Sequence, residues 1–186
     1  MRIISGKAKG TKLYTLEGLD TRPTLDRVKE SLFNIITPEI QDSTVLDLFS
    51  GSGAIGLEFA SRGAKKVYLC DNSKYAIEII KKNVGKTHFE NRVKIYNCDY
   101  KEALKKIDDE KIDIIYIDPP YKTNYIKIAV EEIIKKENFN EDTLIIAETD
   151  DLQRIIKDMK NFENSIKIID QRKYGRANLI FMKKIK

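Results

Sequence analysis

The chain of 186 residues is poor in the residue types that most often build cross-links, metal centres and nucleophilic triads. It has two cysteines, Cys70 and Cys98, and no Cys-x-x-Cys pair, so a disulfide framework or a structural zinc site has nothing to build on and ordinary buried thiols are expected. The one histidine, His88, stands in the polar stretch KTHFENR, which has the composition of a loop. A histidine-centred triad therefore lacks a base, and His88 is given no catalytic role. No apolar run is long enough to cross a bilayer, and residues 1–20 lack the apolar middle segment of a secretory signal, so no membrane association and a cytoplasmic location are expected. No internal repeat, low-complexity tract or Pro/Gly-rich linker divides the chain. With 41% hydrophobic and 34% charged residues, the composition fits a single domain over 1–186, a basic N-terminal hairpin or arm over 1–20 preceding a core over 21–186.

What is present begins with charge. The formal net charge is +5, which permits an anionic partner such as a nucleic acid. Most lysines are mixed with glutamates, as in KKENFNED, and read as solvated surface. The N-terminus differs. MRIISGKAKGTKLYTL carries Arg2, Lys7, Lys9 and Lys12 with no acid before Glu17, and its glycines at 6 and 10 break it into two short extended pieces, a basic β-hairpin or arm.

The rest of the chain alternates. Short β-branched runs (VLDLF, VYLCD, VKIYNCD, IDIIYID and TLIIAET) are separated by segments of helical period such as YAIEIIKKNV and YIKIAVEEIIKK. That pattern specifies βαβ units, parallel pairing and an α/β sandwich with helices on both faces. After a helix near Leu152 to Met159, SIKIIDQRKYG and ANLIFMKK follow each other through Gly175 with no helix between, which predicts an antiparallel pair. Before the alternation, LDRVKESLFNII places Val28, Leu32, Ile35 and Ile36 on one face of an extra helix.

In an open parallel sheet, ligands bind beyond the carboxyl ends of the strands. Acids stand at those ends: Asp47, Asp71, Asp99 and Asp118. Any one of them could merely cap the next helix. Four on one rim point to a ligand. Gly51, Gly53 and Gly56 in LDLFSGSGAIG have the G-x-G-x-x-G spacing of a dinucleotide turn, but Asp47, four residues before Gly51, would repel a pyrophosphate. S-adenosylmethionine fits better, since it carries an ammonium and a sulfonium and no phosphate. Asp47 can face the ammonium, the turn of Phe49, Ser50, Gly51, Ser52 and Gly53 can approach the carboxylate, and Asp71 can accept from the ribose hydroxyls. Asn72 adjoins that acid, and Asp99 with Tyr100 is placed at the adenine.

Asp118-Pro119-Pro120-Tyr121 ends a strongly apolar strand. Two consecutive prolines have fixed φ and no N–H, which makes a stiff segment of acceptors. An exocyclic amine on a nucleobase is a poor nucleophile because its lone pair is delocalised into the ring. Acceptance of its hydrogens by Asp118 and the Pro119 carbonyl would let the nitrogen turn tetrahedral, with Tyr121 stacked on the base. The chemistry requires neither a metal nor a covalent intermediate.

In this order, LDLFSGSGAIGLE, Asp71 and IDPPY resemble class I S-adenosylmethionine-dependent methyltransferases acting on exocyclic amines. RIISGKAKGTKL, RPTLDRVKESLFNII and KYGRANLIF narrow the likeness, and together the chain resembles the RsmD family of bacterial 16S rRNA guanine-N2 methyltransferases. The resemblance implies a Rossmann-like, mostly parallel seven-stranded sheet with its last strand antiparallel, and methylation of a 16S rRNA guanine in an assembling small subunit; a monomer is expected. By motif it also implies that Arg22, Thr24 and Arg27 in RPTLDR line the cleft, facing RNA phosphate or the cofactor carboxylate. Arg176 and Ala177 depart from the pattern, standing where a small hydroxyl residue is expected. Rival readings are a DNA adenine-N6 methyltransferase, which would need a base-reading module for which few residues remain, a protein-glutamine methyltransferase, and a non-catalytic nucleotide- or RNA-binding Rossmann domain.

Overall fold

A computed structural model of the chain describes residues 1–16, 23–107 and 110–185, with side chains of the first helix from residue 27 onward. The elements alternate as α1 (Pro23–Ile40), β1 (Thr44–Asp47), α2 (Ala54–Ser61), β2 (Lys66–Asp71), α3 (Lys74–Thr87), β3 (Val93–Asn97), α4 (Tyr100–Lys106), β4 (Ile114–Ile117), α5 (Tyr125–Ile134), β5 (Leu144–Thr149) and α6 (Leu152–Met159). A 3-10 turn (Lys160–Phe162) then leads into β6 (Ile166–Tyr174) and β7 (Ala177–Lys184). The strands form one seven-stranded sheet in the order β3-β2-β1-β4-β5-β7-β6. The first five are parallel, and β7 runs antiparallel to both β5 and β6. Two apolar runs with no intervening helix can only turn back on each other, and the hairpin at Gly175 does so.

Strands covered on both faces must be apolar throughout, and every residue of β4 and β5 is buried. One face packs against α1, α2 and α3 through residues such as Leu32, Phe33, Leu57 and Ile80. The other packs against α4, α5 and α6 through Leu104, Val130 and Ile155. Phe33 of α1 meets Phe59 of α2 edge to face at 4.7 Å. Of the four residues expected on the buried face of α1, Val28, Leu32 and Ile36 are buried, but Ile35 is 38% exposed. A helix resting on a flat layer buries a stripe too narrow for every apolar position. His88, expected in a loop, takes a left-handed conformation that ends α3. The two cysteines are buried and unlinked, with their sulfurs 3.9 Å apart. Among the described residues no helix is long and apolar enough to cross a membrane.

The N-terminal segment is a hairpin docked on the core. Arg2 and Lys12 bridge antiparallel, and Ile3 and Leu13 enter the same apolar cluster as α1 and α2. Glu58 of α2, fully buried, accepts from the N–H groups of Ile4 and Ser5 at 2.8 and 3.0 Å and pairs with Lys29 at 3.1 Å and Arg62 at 2.8 Å. Ser61 at the end of the same helix accepts from the N–H groups of Lys7 and Ala8. A buried charge is tolerated only when its lone pairs are filled, so this carboxylate fixes where the hairpin sits. Arg2, Lys7, Lys9 and Lys12 all remain exposed on its outer side.

Candidate active site

Strand pairing decides which acids face one another. In the parallel registers Asp47 lies beside Tyr116 of β4, and Ile117 lies beside Ala147 of β5, so Asp118 and Glu148 follow as neighbours on adjoining strands about 4.8 Å apart. Side chains two residues apart share a face. Val45, Leu69, Tyr116 and Ile146 belong to the cluster under α1, α2 and α3. Asp47, Asp71, Asp118 and Glu148 therefore emerge on that same side at the carboxyl end of the sheet. They line one cleft of about 570 Å³ together with Phe49, Ser50, Gly51, Ser52, Asn72, Pro119, Pro120 and Tyr121. The volume lies within the range of small-molecule and cofactor sites. Met1, Thr15 and Leu16 of the hairpin form another wall.

The glycine turn is held from two directions. Ser50 donates from its hydroxyl to the Asp47 carbonyl at 2.9 Å and accepts from the Cys70 N–H at 3.0 Å, which pins the turn to β2. Asp71 accepts from the Gly51 N–H at 2.9 Å and from the Ser73 N–H, also at 2.9 Å. Gly53 caps α2 with a φ of 79°, in the left-handed region that favours glycine. Gly56 serves packing: a Cβ there would stand 2.1 Å from Leu69 Cδ2, so α2 can lie this close to β2 only without a side chain.

The acids differ in burial. Asp47 is 1% exposed, and neither carboxylate oxygen has a hydrogen-bond partner among the described residues. Burial, assisted by the Asp71 charge, pushes its pKa up to about 7; the nearby Gly56 N–H, Ser50 hydroxyl and Phe49 N–H offset part of the rise. The Asp118 carboxyl is raised well above the usual carboxylate range by burial and by the charges of Glu148 and Asp47. Glu148, 6% exposed, is raised by burial, and the Tyr116 hydroxyl donates to its Oε2 at 2.5 Å. The Pro120 carbonyl accepts from the Thr123 hydroxyl at 2.9 Å, while no donor among the described residues meets the Pro119 carbonyl. Tyr121 is half exposed at the mouth. Such a site offers acceptors and negative charge and lacks partners for them, so it fits a ligand carrying a cation and an amine.

Other expected residues fall elsewhere. β3 stops at Asn97, and Asp99 is an exposed cap whose Oδ1 accepts from the N–H groups of Lys101 and Glu102 at 2.8 and 3.0 Å, outside the cleft lining. Tyr100 lies behind the wall, tilted against Phe49 at 5.3 Å and Tyr125 at 5.2 Å. Arg27 is exposed, and the cleft is met instead by Val28, Lys29 and Leu32. Arg22 and the side chain of Thr24 lie outside the described residues. Arg176 is exposed on the β6–β7 turn and Ala177 is buried beside it.

The family model described as "Conserved hypothetical protein 95" matches residues 1–183. Over 152 residues the chain is 35% identical to the ribosomal RNA small subunit methyltransferase D of Haemophilus influenzae, an alignment covering 81% of this chain and 79% of that one. It is 38% identical over 152 residues to YlbH of Bacillus subtilis, assigned as an rRNA methyltransferase, with 81% and 83% covered. The chain belongs to the RsmD family. The solved structure of yhhF from Escherichia coli, assigned as a methyltransferase, superposes with a TM-score of 0.81 at 27% identity over 99% of this chain and 97% of that one.

Against that RsmD-family frame, four residues of this chain were invisible to motif reading. Glu148 is the last residue but one of β5 and Asp118 follows the last residue of β4, so the rule that locates the other acids extends to Glu148. Lys29, buried at the cleft, donates to the Arg2 carbonyl at 2.6 Å. Tyr125 stacks on Phe49 with centroids 6.0 Å apart and planes 4° from parallel. Asn83, fully buried in α3, donates to the carbonyls of Ser52 and Tyr14, both at 2.9 Å, and accepts from the Tyr14 N–H at 2.7 Å. It joins the glycine turn to the hairpin. No local pattern marks these last three.

Proposed function

We propose that this chain methylates the exocyclic N2 of a guanine in bacterial 16S rRNA, using S-adenosylmethionine, in the assembling small ribosomal subunit. The observation that carries the reading is Asp47: a buried carboxylate without a donor, in a cleft that Asp118 and Pro119 also line. A buried anion without a partner is costly, and a ligand ammonium is the partner that fits it. When bound, S-adenosylmethionine supplies an electrophilic methyl carbon on its sulfonium.

The protein's own groups do the rest. Asp47 holds the ammonium. Asp71 keeps two lone-pair sites for the ribose hydroxyls beyond those filled by Gly51 and Ser73. Phe49 and Tyr125 offer an aromatic face to the adenine. On the far side Asp118 and the Pro119 carbonyl accept from the guanine amine, Tyr121 stacks on the base, and the released proton passes to Asp118 or to water. Arg2, Lys7, Lys9 and Lys12, exposed on the docked hairpin, contact RNA phosphates.

The deciding experiment incubates the protein and methyl-labelled cofactor with small subunits from a strain lacking this gene, followed by nucleoside mapping. N2-methylguanosine at one position is expected; label in adenosine, or none, would overturn the reading. Replacing Lys7, Lys9 and Lys12 together should flatten the salt slope of RNA binding by about 2 to 3.

A further inference from the structure

Glu148 has no task in the chemistry above, yet it stands in the same cleft. It is 6% exposed, the neighbour of Asp118 by strand register, and fixed through Oε2 by the Tyr116 hydroxyl. No donor among the described residues meets its Oε1. Tyr116 itself is buried and paired in register with Asp47, so the hydroxyl that aims Glu148 is set by the sheet rather than by a loop. A carboxylate held in this way is an acceptor in a fixed place.

A guanine whose N2 hydrogens are taken by Asp118 and the Pro119 carbonyl presents one more donor on the same edge, the ring N1–H, adjacent to the amine. Left buried without an acceptor, that N–H would oppose binding. We propose that Glu148 accepts from the guanine N1–H and is the residue by which the site selects guanine, Tyr116 being the residue that positions it. Adenine places a lone pair on the ring nitrogen next to its amine, and that lone pair would face the lone pairs of Glu148. Two neighbouring carboxylates thus match the donor–donor edge of guanine and repel the donor–acceptor edge of adenine. The inference rests on the guanine reading above.

The test compares small subunits rebuilt by ligation of 16S rRNA fragments to carry either guanine or 2-aminopurine at the mapped position. 2-Aminopurine keeps the accepting amine but has a lone pair at N1. Wild type should favour guanine by about 10- to 100-fold in kcat/KM. In Glu148→Gln the amide can donate to the N1 lone pair, so the ratio should fall at least tenfold while calorimetry shows cofactor affinity within a few-fold of wild type. Tyr116→Phe, which leaves Glu148 in place but unanchored, should lower the ratio less and covers the case in which the first variant does not fold. N2-methylguanosine formation with the wild-type ratio in both variants overturns this inference alone. Wild-type label on adenosine, or no label at all, overturns it together with the function proposed above.

Discussion

Asp99 and Asp47 stand near the carboxyl ends of strands in one sheet and have opposite surroundings. Asp99 is exposed, and two helix N–H groups already donate to it. Asp47 is buried, with no donor on either oxygen. Asp71 lies between them in kind, accepting from the glycine turn while lining the cleft. On the β4–β5 side, half-buried Asp118 and buried Glu148 resemble Asp47 in lying close to other acids and in being raised in pKa. An acid filled by backbone N–H groups is finished by the fold, whereas one left bare inside the protein is finished by a ligand. Position on the rim does not separate the two kinds; burial and hydrogen-bond partners do.

The largest expected effect lies on the bare side. Asp118→Ala should reduce turnover below detection and leave cofactor affinity within a few-fold in calorimetry, because its assigned partner is the base. Retained turnover would place Asp118 among the structural acids. Asp47→Asn should weaken S-adenosylmethionine binding by about 1.5 to 3 kcal/mol, the loss of a charged hydrogen bond. The same variant carries a pH signature. Asp47 has a folded pKa of about 7 against an ordinary value of 3.8, so between those values the folded state binds a proton that the unfolded chain has released. Stability from this group is fully present below about pH 4 and is lost as pH rises to about 7, by up to about 4 kcal/mol. Urea unfolding of the ligand-free protein at pH 5 and pH 8 should therefore show Asp47→Asn gaining on wild type at the higher pH. A stability difference independent of pH would mean that Asp47 is not a bare buried acid. Asp71→Ala, in the middle class, should cost about 1 to 3 kcal/mol of cofactor affinity and also free the Gly51 N–H, visible as faster amide exchange in the turn.

How much of this was legible beforehand follows from how local each signal is. The alternation of β-branched runs with helical segments, the terminal hairpin and the glycine turn depend on periodicity and turn chemistry within a few residues, and each appears where expected. The convergence of Asp47 and Asp118 followed from the rule for parallel sheets. Glu148, near the carboxyl end of the run TLIIAET, falls under the same rule, but its pairing with Asp118 exists only through the β4–β5 register. Lys29 and Glu58 are charges within helices, a pattern that ordinarily means solvent; they are buried because the hairpin docks over them. VKIYNCD reads as one strand to its last residue, which puts Asp99 at a strand end, whereas pairing ends at Asn97.

The smallest effect is the sharpest separation of the two classes. Asp99→Ala removes the acceptor of two N–H groups at the start of α4, a short helix that buries Ala103 and Leu104 against the sheet. Loss of a cap of this type costs about 0.5 to 2 kcal/mol of stability. Because that carboxylate is outside the cleft lining, the S-adenosylmethionine Kd should stay within about twofold once the variant is measured well below its Tm. Asp99→Asn, whose side-chain oxygen still accepts, should restore most of the lost stability with no change in binding. A tenfold weaker Kd in both variants, with stability recovered only in the asparagine form, would return Asp99 to the adenine side of the site and show that a filled cap can also serve a ligand.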